Sequence, residues 1–239
     1  MADITGNFDW QTQAVVPAFV QGKDAITIYN AIKELGLGWM DYDSKTSTLR
    51  GSTTLMAAKI DTLLRPYGIR VAGPKDFMRP EVAKMVEGKH YSDTPRLILS
   101  TTDDSNSRNL SLIKRIAELV EGKNGRLELP VLVRGFDVKP CPGDERGYKL
   151  EIVARDDFTA THDERLSGAY SGKRISGFDE NEIPVFDKNG SRTWYARGKG
   201  LSRLCLGWDL SIYSLNGSLA LSYSVGRVVL INAVGTQKK

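Results

Sequence analysis

The sequence contains only two cysteines and two histidines. Cys141 and Cys205 are far apart and outside any C-x-x-C pattern, so a disulfide framework or a cysteine zinc site is excluded by number. His90 and His162 are too few for a multi-histidine metal site, and no Walker or dinucleotide-type glycine motif is present. The sequence therefore predicts no metal and no cofactor, and it indicates a reducing compartment.

The sequence also lacks a long uncharged apolar run. Its longest candidate, Val228 to Val234, is interrupted by Asn232 and is too short to cross a bilayer. The first ten residues carry acids where a secretory signal would carry lysines and an apolar stretch. We therefore expect a cytoplasmic protein with no membrane partner.

The composition is ordinary for a globular protein, with 41% hydrophobic and 26% charged residues, so the chain can form a core. Met56, Ile60, Leu64 and Tyr67 share one helical stripe after a threonine cap at position 53 or 54. Further patterns predict helices at 24–35, 80–88 and about 110–120, a hairpin at 39–50, and strands at 69–71, 96–102 and 127–133. The strand, helix and strand between 96 and 133 are typical of a βαβ crossover.

After Pro140 the pattern changes to short strands separated by turns. A turn cluster at 141–147 precedes a strand at 148–154, and a polar stretch at 156–182 has no clear period. A hairpin is predicted at 183–196, and apolar residues alternate in 204–212, 219–223 and 228–231. We therefore predict an α+β fold, with a mixed α/β portion at 1–140 and a C-terminal antiparallel β-meander within a β-rich portion at 141–239. Whether these are one domain or two is left open.

The positive charge is concentrated near the C-terminus. Residues 190–239 contain seven basic residues and one acid, Asp209, a net of +6, which leaves −2 for the first 189 residues of a chain with net charge +4. Such an asymmetry favours a polyanionic partner.

Basic and aromatic residues alternate within this region. Exposed aromatic rings between cations suit the stacking of single-stranded bases over a positive groove. The alternative is that the rings belong to the core and the bases solvate a sheet face. The candidate nucleic-acid-binding residues are Arg192, Trp194, Tyr195, Arg197, Lys199 and Arg203.

The loop at 101–108 links a predicted strand to a predicted helix. Its Ser105, Asn106, Ser107 and Arg108 are candidates for phosphate binding at a helix N-terminus. Asp103 and Asp104 are alternative candidates for an enzymatic site with Ser105 and His162. The alternative interpretation is a capping loop, in which Ser105, Asn106 or Ser107 caps the helix.

Three functions follow from these patterns. The first hypothesis is a non-enzymatic protein that binds nucleic acid or another polyanion through the C-terminal basic and aromatic residues. The second is a structural protein that forms a homo-oligomer through the serine-rich meander, which has few charges to block edge pairing. The third is a phosphoester- or nucleotide-directed enzyme at the 101–108 loop.

Overall fold

The structure, a computed structural model, describes residues 17–34, 36, 40–168, 172–215 and 217–233. The α-helices in these ranges are α1 (Lys23–Glu34), α2 (Thr54–Leu64), α3 (Pro80–Val86) and α4 (Leu110–Asn124). The strands are β1 (Ala18–Phe19), β2 (Asp41–Asp43), β3 (Thr48–Arg50), β4 (Ile69–Val71), β5 (Ser92–Leu99), β6 (Val131–Pro140), β7 (Leu150–His162), β8 (Lys173–Phe178), β9 (Pro184–Phe186), β10 (Arg192–Ala196), β11 (Leu201–Leu206), β12 (Ile212–Ser214) and β13 (Val229–Asn232).

One large sheet dominates the fold. Its eight strands lie in the order β7-β6-β5-β11-β12-β10-β8-β9, and only the β10–β12 pair is parallel among the described strands. A three-stranded sheet has the order β1-β13-β4, and β2 pairs with β3 in a hairpin. The large sheet takes strands from both sides of Pro140, and the division into portions at 1–140 and 141–239 stays a prediction.

The helices begin and end where local chemistry predicts. The Thr53 hydroxyl accepts a hydrogen bond from the Met56 backbone N–H at 3.2 Å, which caps α2. Pro80 occupies the first turn of α3, where its missing N–H costs no hydrogen bond. Gly125 follows α4 in the left-handed conformation, which satisfies a terminal carbonyl group.

Both faces of the large sheet are covered over its central strands. Leu97 and Leu99 of β5 pack into a core with α1, α2 and α4, whereas Ile98 packs into a second core on the opposite face. The second core includes side chains of α3 and β13, such as Val82 and Val229. The alternation of apolar side chains along β5 therefore divides the interior into two layers.

The predicted α+β class is confirmed. The predicted hairpin is confirmed too, since β2 and β3 pair antiparallel. Its predicted first residue, Trp39, lies outside the described residues. The predicted βαβ crossover is wrong in strand direction, because β5 and β6 are antiparallel. Leu99 at the end of β5 lies opposite Val131 at the start of β6. The chain therefore returns to the sheet beside the end of β5 from which it left. For this reason β6 runs in the direction opposite to β5.

Among the described C-terminal strands, consecutive strands pair antiparallel at β8–β9 and at β11–β12, and the meander is not continuous between them. The predicted hairpin at 183–196 is wrong in its pairing, because β8 lies between β9 and β10 and pairs with both. Residues 219–223 form no strand, and β13 joins the three-stranded sheet. The predicted polar stretch at 156–182 contains the end of β7, a short 3-10 turn at Glu164–Leu166 and β8.

Candidate nucleic-acid interface

Two of the predicted nucleic-acid-binding residues lie in the interior. Trp194 is 1% exposed and packs edge-on against Phe178, with ring centroids 6.2 Å apart. Arg203 is 5% exposed, and its Nη1 donates to the Leu221 carbonyl oxygen at 2.6 Å and lies 3.4 Å from an Asp93 carboxylate oxygen. A ring or a guanidinium in these positions does not reach a ligand on the outer surface of the sheet. Strand alternation alone could not show this, because it leaves open which face is buried.

Arg197 serves mainly to hold the 101–108 loop. Its Nη2 lies 3.3 Å from Oδ1 of Asp104, whose side chain is inaccessible to solvent. Asp104 Oδ2 also accepts from the Leu201 backbone N–H and from Asn109 Nδ2, both at 2.8 Å. Burial alone would raise the pKa of Asp104, but these hydrogen bonds and the Arg197 charge lower it below its ordinary value. Asp104 is therefore an ionised structural carboxylate.

Some of the candidate phosphate-binding residues also have structural partners, and the others are exposed. The Asn106 side chain accepts from the Arg108 backbone N–H at 3.2 Å and donates to the Gly217 carbonyl oxygen at 3.0 Å. The Arg108 guanidinium lies 4.5 Å above the Tyr148 ring. Ser105 and Ser107 are exposed. Asn106 thus caps the short 3-10 turn Ser107–Asn109 that leads into α4, which is close to the capping role of the alternative interpretation.

A cavity of about 760 Å³ brings together the two segments that the sequence pointed to. Its lining includes Ser105 and Asp103 from the loop, and Arg197 and the exposed Lys199 from the β10–β11 connection. Equal numbers of bases and acids line it, since Asp104 is also present. This balance does not favour an anion at this position.

Tyr195 and Tyr213 form a stacked aromatic pair on the large sheet. They occupy paired positions on the parallel strands β10 and β12, and their rings are 5.0 Å apart with an interplanar angle of 6°. Trp194 and Ile212 point into the second core, so both tyrosines lie on the opposite face. Both rings are partly exposed, because the helices on this side pack over β5, β6 and β7.

A second group of rings continues from Tyr213. Tyr213, Tyr91, Trp208 and Tyr223 line a mainly apolar cavity of about 360 Å³. Trp208 is 65% exposed and Tyr223 is 55% exposed. We call the set Tyr195, Tyr213, Trp208 and Tyr223 the aromatic face.

The floor and rim of this cavity supply polar groups. Arg203 lines the cavity, and its guanidinium carbon lies 5.5 Å from the centroid of the Tyr91 ring. Among the described residues, Arg203 Nε has no hydrogen-bond partner. The Tyr213 hydroxyl donates to Asp209 Oδ2 at 2.6 Å, and burial together with this bond raises the pKa of Tyr213 to about 12. Tyr213 therefore stays neutral at physiological pH.

Exposed cations lie beside the aromatic face. Arg174 on β8 is paired with Thr193 on β10, and its Nη1 donates to the Thr193 hydroxyl at 3.2 Å. Arg174 is exposed, as is Lys199 beyond the end of β10, whereas the exposed Lys173 lies opposite Trp194 and therefore on the other face of the sheet. Arg192 points to the same face as Trp194 and is only partly exposed. Of the two exposed cations near the tyrosine pair, Lys199 was predicted and Arg174 was not.

Two residues of the enzymatic hypothesis, Asp104 and His162, take part in structural contacts. Asp104 is taken up by structural hydrogen bonds, and His162 Nδ1 lies 3.0 Å from the Pro130 carbonyl oxygen at the end of β7. No group of three or more histidine, cysteine, aspartate or glutamate side chains in the described ranges is placed to hold a metal ion.

The strands of the homo-oligomer hypothesis are already paired within the chain. β10, β11, β12 and β13 each pair with a strand on both sides, so none of them has a free edge for another copy of the chain. The edges of the large sheet are β7 and β9. Within residues 17–233, leaving out the gaps, no helix has the length and apolar composition that crossing a bilayer requires.

Sequence reasoning missed Trp208, Tyr213 and Tyr223 as surface residues. Trp208 was grouped with the alternating apolar residues at 204–212, but β11 ends at Leu206 and Trp208 lies in the following turn. Its neighbours Gly207 and Asp209 are typical turn residues, and they were the available signal. Arg174 was missed because the polar stretch at 156–182 shows no strand pattern, although it contains β8.

In comparisons with known proteins, no family model matches the sequence, and neither a curated protein nor a solved structure matches it.

Proposed function

We propose that this protein is a non-enzymatic binding protein for single-stranded nucleic acid, which it holds on the aromatic face. The observation that carries the proposal is the stacked pair Tyr195 and Tyr213, on a part of the sheet face that none of the described helices covers, continued by the exposed Trp208 and Tyr223. Large exposed rings cost solvation free energy, and a contiguous group of them on a surface favours a ligand that covers it.

The geometry suits single strands better than duplexes. Unpaired bases stack on protein aromatic rings, each stack contributing about 1–3 kcal/mol to binding. Bases inside a duplex are already stacked on one another and present only their edges. The cavity of about 360 Å³ beside Tyr213 is large enough for one ring-shaped ligand.

The electrostatic contribution is modest. Arg197 and Arg203 are paired with buried carboxylates, so contacts with the phosphate backbone fall to Arg174 and Lys199. Two phosphate contacts on a single strand predict that log K falls with log salt concentration with a slope of about −1.4. A protein that bound through charge alone would show a steeper slope.

The test is fluorescence anisotropy of a labelled oligothymidine at low salt. Tyr195→Ala and Trp208→Ala are each expected to weaken binding about 5- to 150-fold, which corresponds to the loss of one stacked base. Ile26→Ala is the matched control, because Ile26 is an exposed apolar residue of α1. Absence of binding to the wild-type protein, or equal affinity in all three variants, would refute the proposal.

We infer a cytoplasmic location from the cysteines. Cys141 and Cys205 are both free thiols, and Cys205 is buried in the large sheet. Free thiols of this kind are typical of a reducing compartment.

A further inference from the structure

A third cavity, of about 320 Å³, lies where many elements of the fold meet. It is lined by side chains from the end of α2, from β4 and the loop that follows, and from β5, β6 and β7. Its charged lining residues are Arg65, Arg70, Lys75, Arg96, Arg134, Asp76, Asp157 and Glu182. We call these eight residues the arginine cluster. They carry five positive and three negative charges, a net of +2.

Each acid of the arginine cluster is already paired with an arginine. Glu182 Oε2 and Oε1 accept from Arg96 Nε at 2.5 Å and Arg96 Nη2 at 2.9 Å. Asp76 accepts two hydrogen bonds from Arg70, at 2.7 and 2.9 Å. The third pair is formed by Arg65 and Asp157, at 2.8 Å. These pairs use up the three negative charges.

Lys75 and Arg134 supply the charge that remains. Lys75 is exposed and forms no ion pair with any of the described residues. Arg134 Nη1 lies 3.7 Å from a Glu182 oxygen that Arg96 already holds. Arg134 Nε donates to the Thr159 hydroxyl at 2.6 Å, which fixes the plane of its guanidinium group. The cavity therefore contains two cations without a full counter-charge.

The backbone around the cavity is held in unusual conformations. Glu182 has a φ of 64°, in the left-handed region that a non-glycine residue adopts at a cost of about 1–2 kcal/mol. At Gly73 an added Cβ would lie 2.9 Å from Glu182 Oε1, so a larger residue there would press against the ion pair. Gly135, with a φ of 71°, interrupts β6 by a bulge next to Arg134. Strain of this kind is concentrated at functional sites.

We propose that the arginine cluster is a binding site for a phosphate group in its doubly charged form. Two negative charges match the net charge of +2, and guanidinium and ammonium groups are the side chains that proteins use for phosphate. The volume of about 320 Å³ is large enough to admit a phosphate group. This site shares no residue with the aromatic face, so neither proposal depends on the other.

The test is calorimetric titration of the full-length protein with inorganic phosphate at neutral pH, with sodium chloride at equal ionic strength as the reference. We expect saturable one-site binding to the wild-type protein. Lys75→Ala and Arg134→Ala are each expected to raise Kd about 10- to 100-fold, the usual effect of losing a charge-assisted hydrogen bond. Arg126→Ala, which removes an arginine whose side chain is 75% exposed, is expected to leave Kd unchanged.

Lys75 is exposed, so its alanine variant keeps the fold, and far-UV circular dichroism checks this for each variant. No saturable heat with phosphate would overturn the proposal. So would a Kd that is the same in Lys75→Ala and Arg134→Ala as in the wild type, or one that rises equally in Arg126→Ala.

Discussion

Replacement of Glu182 by glutamine is the most informative perturbation of this structure. The Arg96–Glu182 pair is buried, with only 9% of each side chain exposed, and two hydrogen bonds join the partners. Glutamine keeps the size of the side chain but leaves the Arg96 charge uncompensated in the interior. Loss of one partner of a buried ion pair costs about 3–5 kcal/mol in free energy of unfolding.

The strain at Glu182 does not contribute to this difference, because glutamine has to adopt the same φ of 64°. For a chain of this length, about 2–4 °C in Tm per kcal/mol converts the loss into a decrease of roughly 6–20 °C. Urea denaturation followed by circular dichroism gives the free energy directly. Glu180→Gln, an exposed position in the same loop, is the control and is expected to stay within about 0.5 kcal/mol of the wild type.

The effect of pH provides an independent check. Burial alone would raise the pKa of Glu182, but the charges of Arg96 and Arg134 and the hydrogen bonds from Arg96 hold it below the ordinary value of 4.5. The contribution of the ionised carboxylate is therefore fully present above about pH 4.5 and is lost as the pH falls through the folded-state pKa. The difference in stability between the wild type and Glu182→Gln is expected to shrink in that acid range.

Two further results would refute the reasoning. One is a loss below about 1 kcal/mol in Glu182→Gln at neutral pH, since the pair would then behave as a surface ion pair. The other concerns Arg96→Met in the Glu182→Gln background, which removes the unpaired charge and is expected to restore part of the stability. A further loss in that double variant would contradict an uncompensated charge as the cause.

The remaining predictions concern backbone, core and thiol chemistry. Gly135→Ala is expected to lower the free energy of unfolding by more than about 2 kcal/mol in urea denaturation. Gly135 has a positive φ, and an added Cβ would overlap a neighbouring carbonyl group. Gly122→Ala in α4, where the added Cβ meets open space, is expected to be neutral or stabilising in the same experiment. Trp194→Ala is expected to cost about 3–5 kcal/mol by the loss of a buried ring, and a loss under about 1 kcal/mol would contradict its burial. Burial raises the pKa of Cys205 to about 12, so a thiol reagent at pH 8 is expected to modify Cys141 in the native protein and Cys205 only after unfolding; equal rates for both would contradict the structure.

The helices and the class of the fold could be predicted because their determinants are local. The stripe of Met56, Ile60 and Leu64 and the cap at Thr53 depend on residues within about one or two helical turns of each other. The capping role of Asn106 is also local. Its hydrogen bond to the Gly217 carbonyl oxygen, in contrast, joins residues that are far apart in the sequence. The turn cluster at 141–147 could be predicted for the same reason, because turn-forming residues act through their own backbone preferences.

The candidate sites were predicted only in part. Tyr195 was recognised correctly as a residue of a strand with a basic neighbourhood, whereas its partner Tyr213 comes from a strand that pairs in parallel and skips β11. The arginine cluster was missed because its members extend from Arg65 to Glu182, and no segment of the chain shows the group. A charge count over one region cannot show which of its arginines are already neutralised by buried carboxylates.

The sequence by itself determined the helices, the turns, the α+β class and the position of the basic residues along the chain. Those properties arise from interactions among neighbours in the sequence, which a pattern records directly. Tertiary structure alone decided that Trp194 faces the core and Tyr195 faces outward, because alternation gives two faces without saying which one is covered. It also decided the strand order that places β8 between β9 and β10, and the meeting of distant charges in the arginine cluster, since both depend on pairing between segments far apart in the chain.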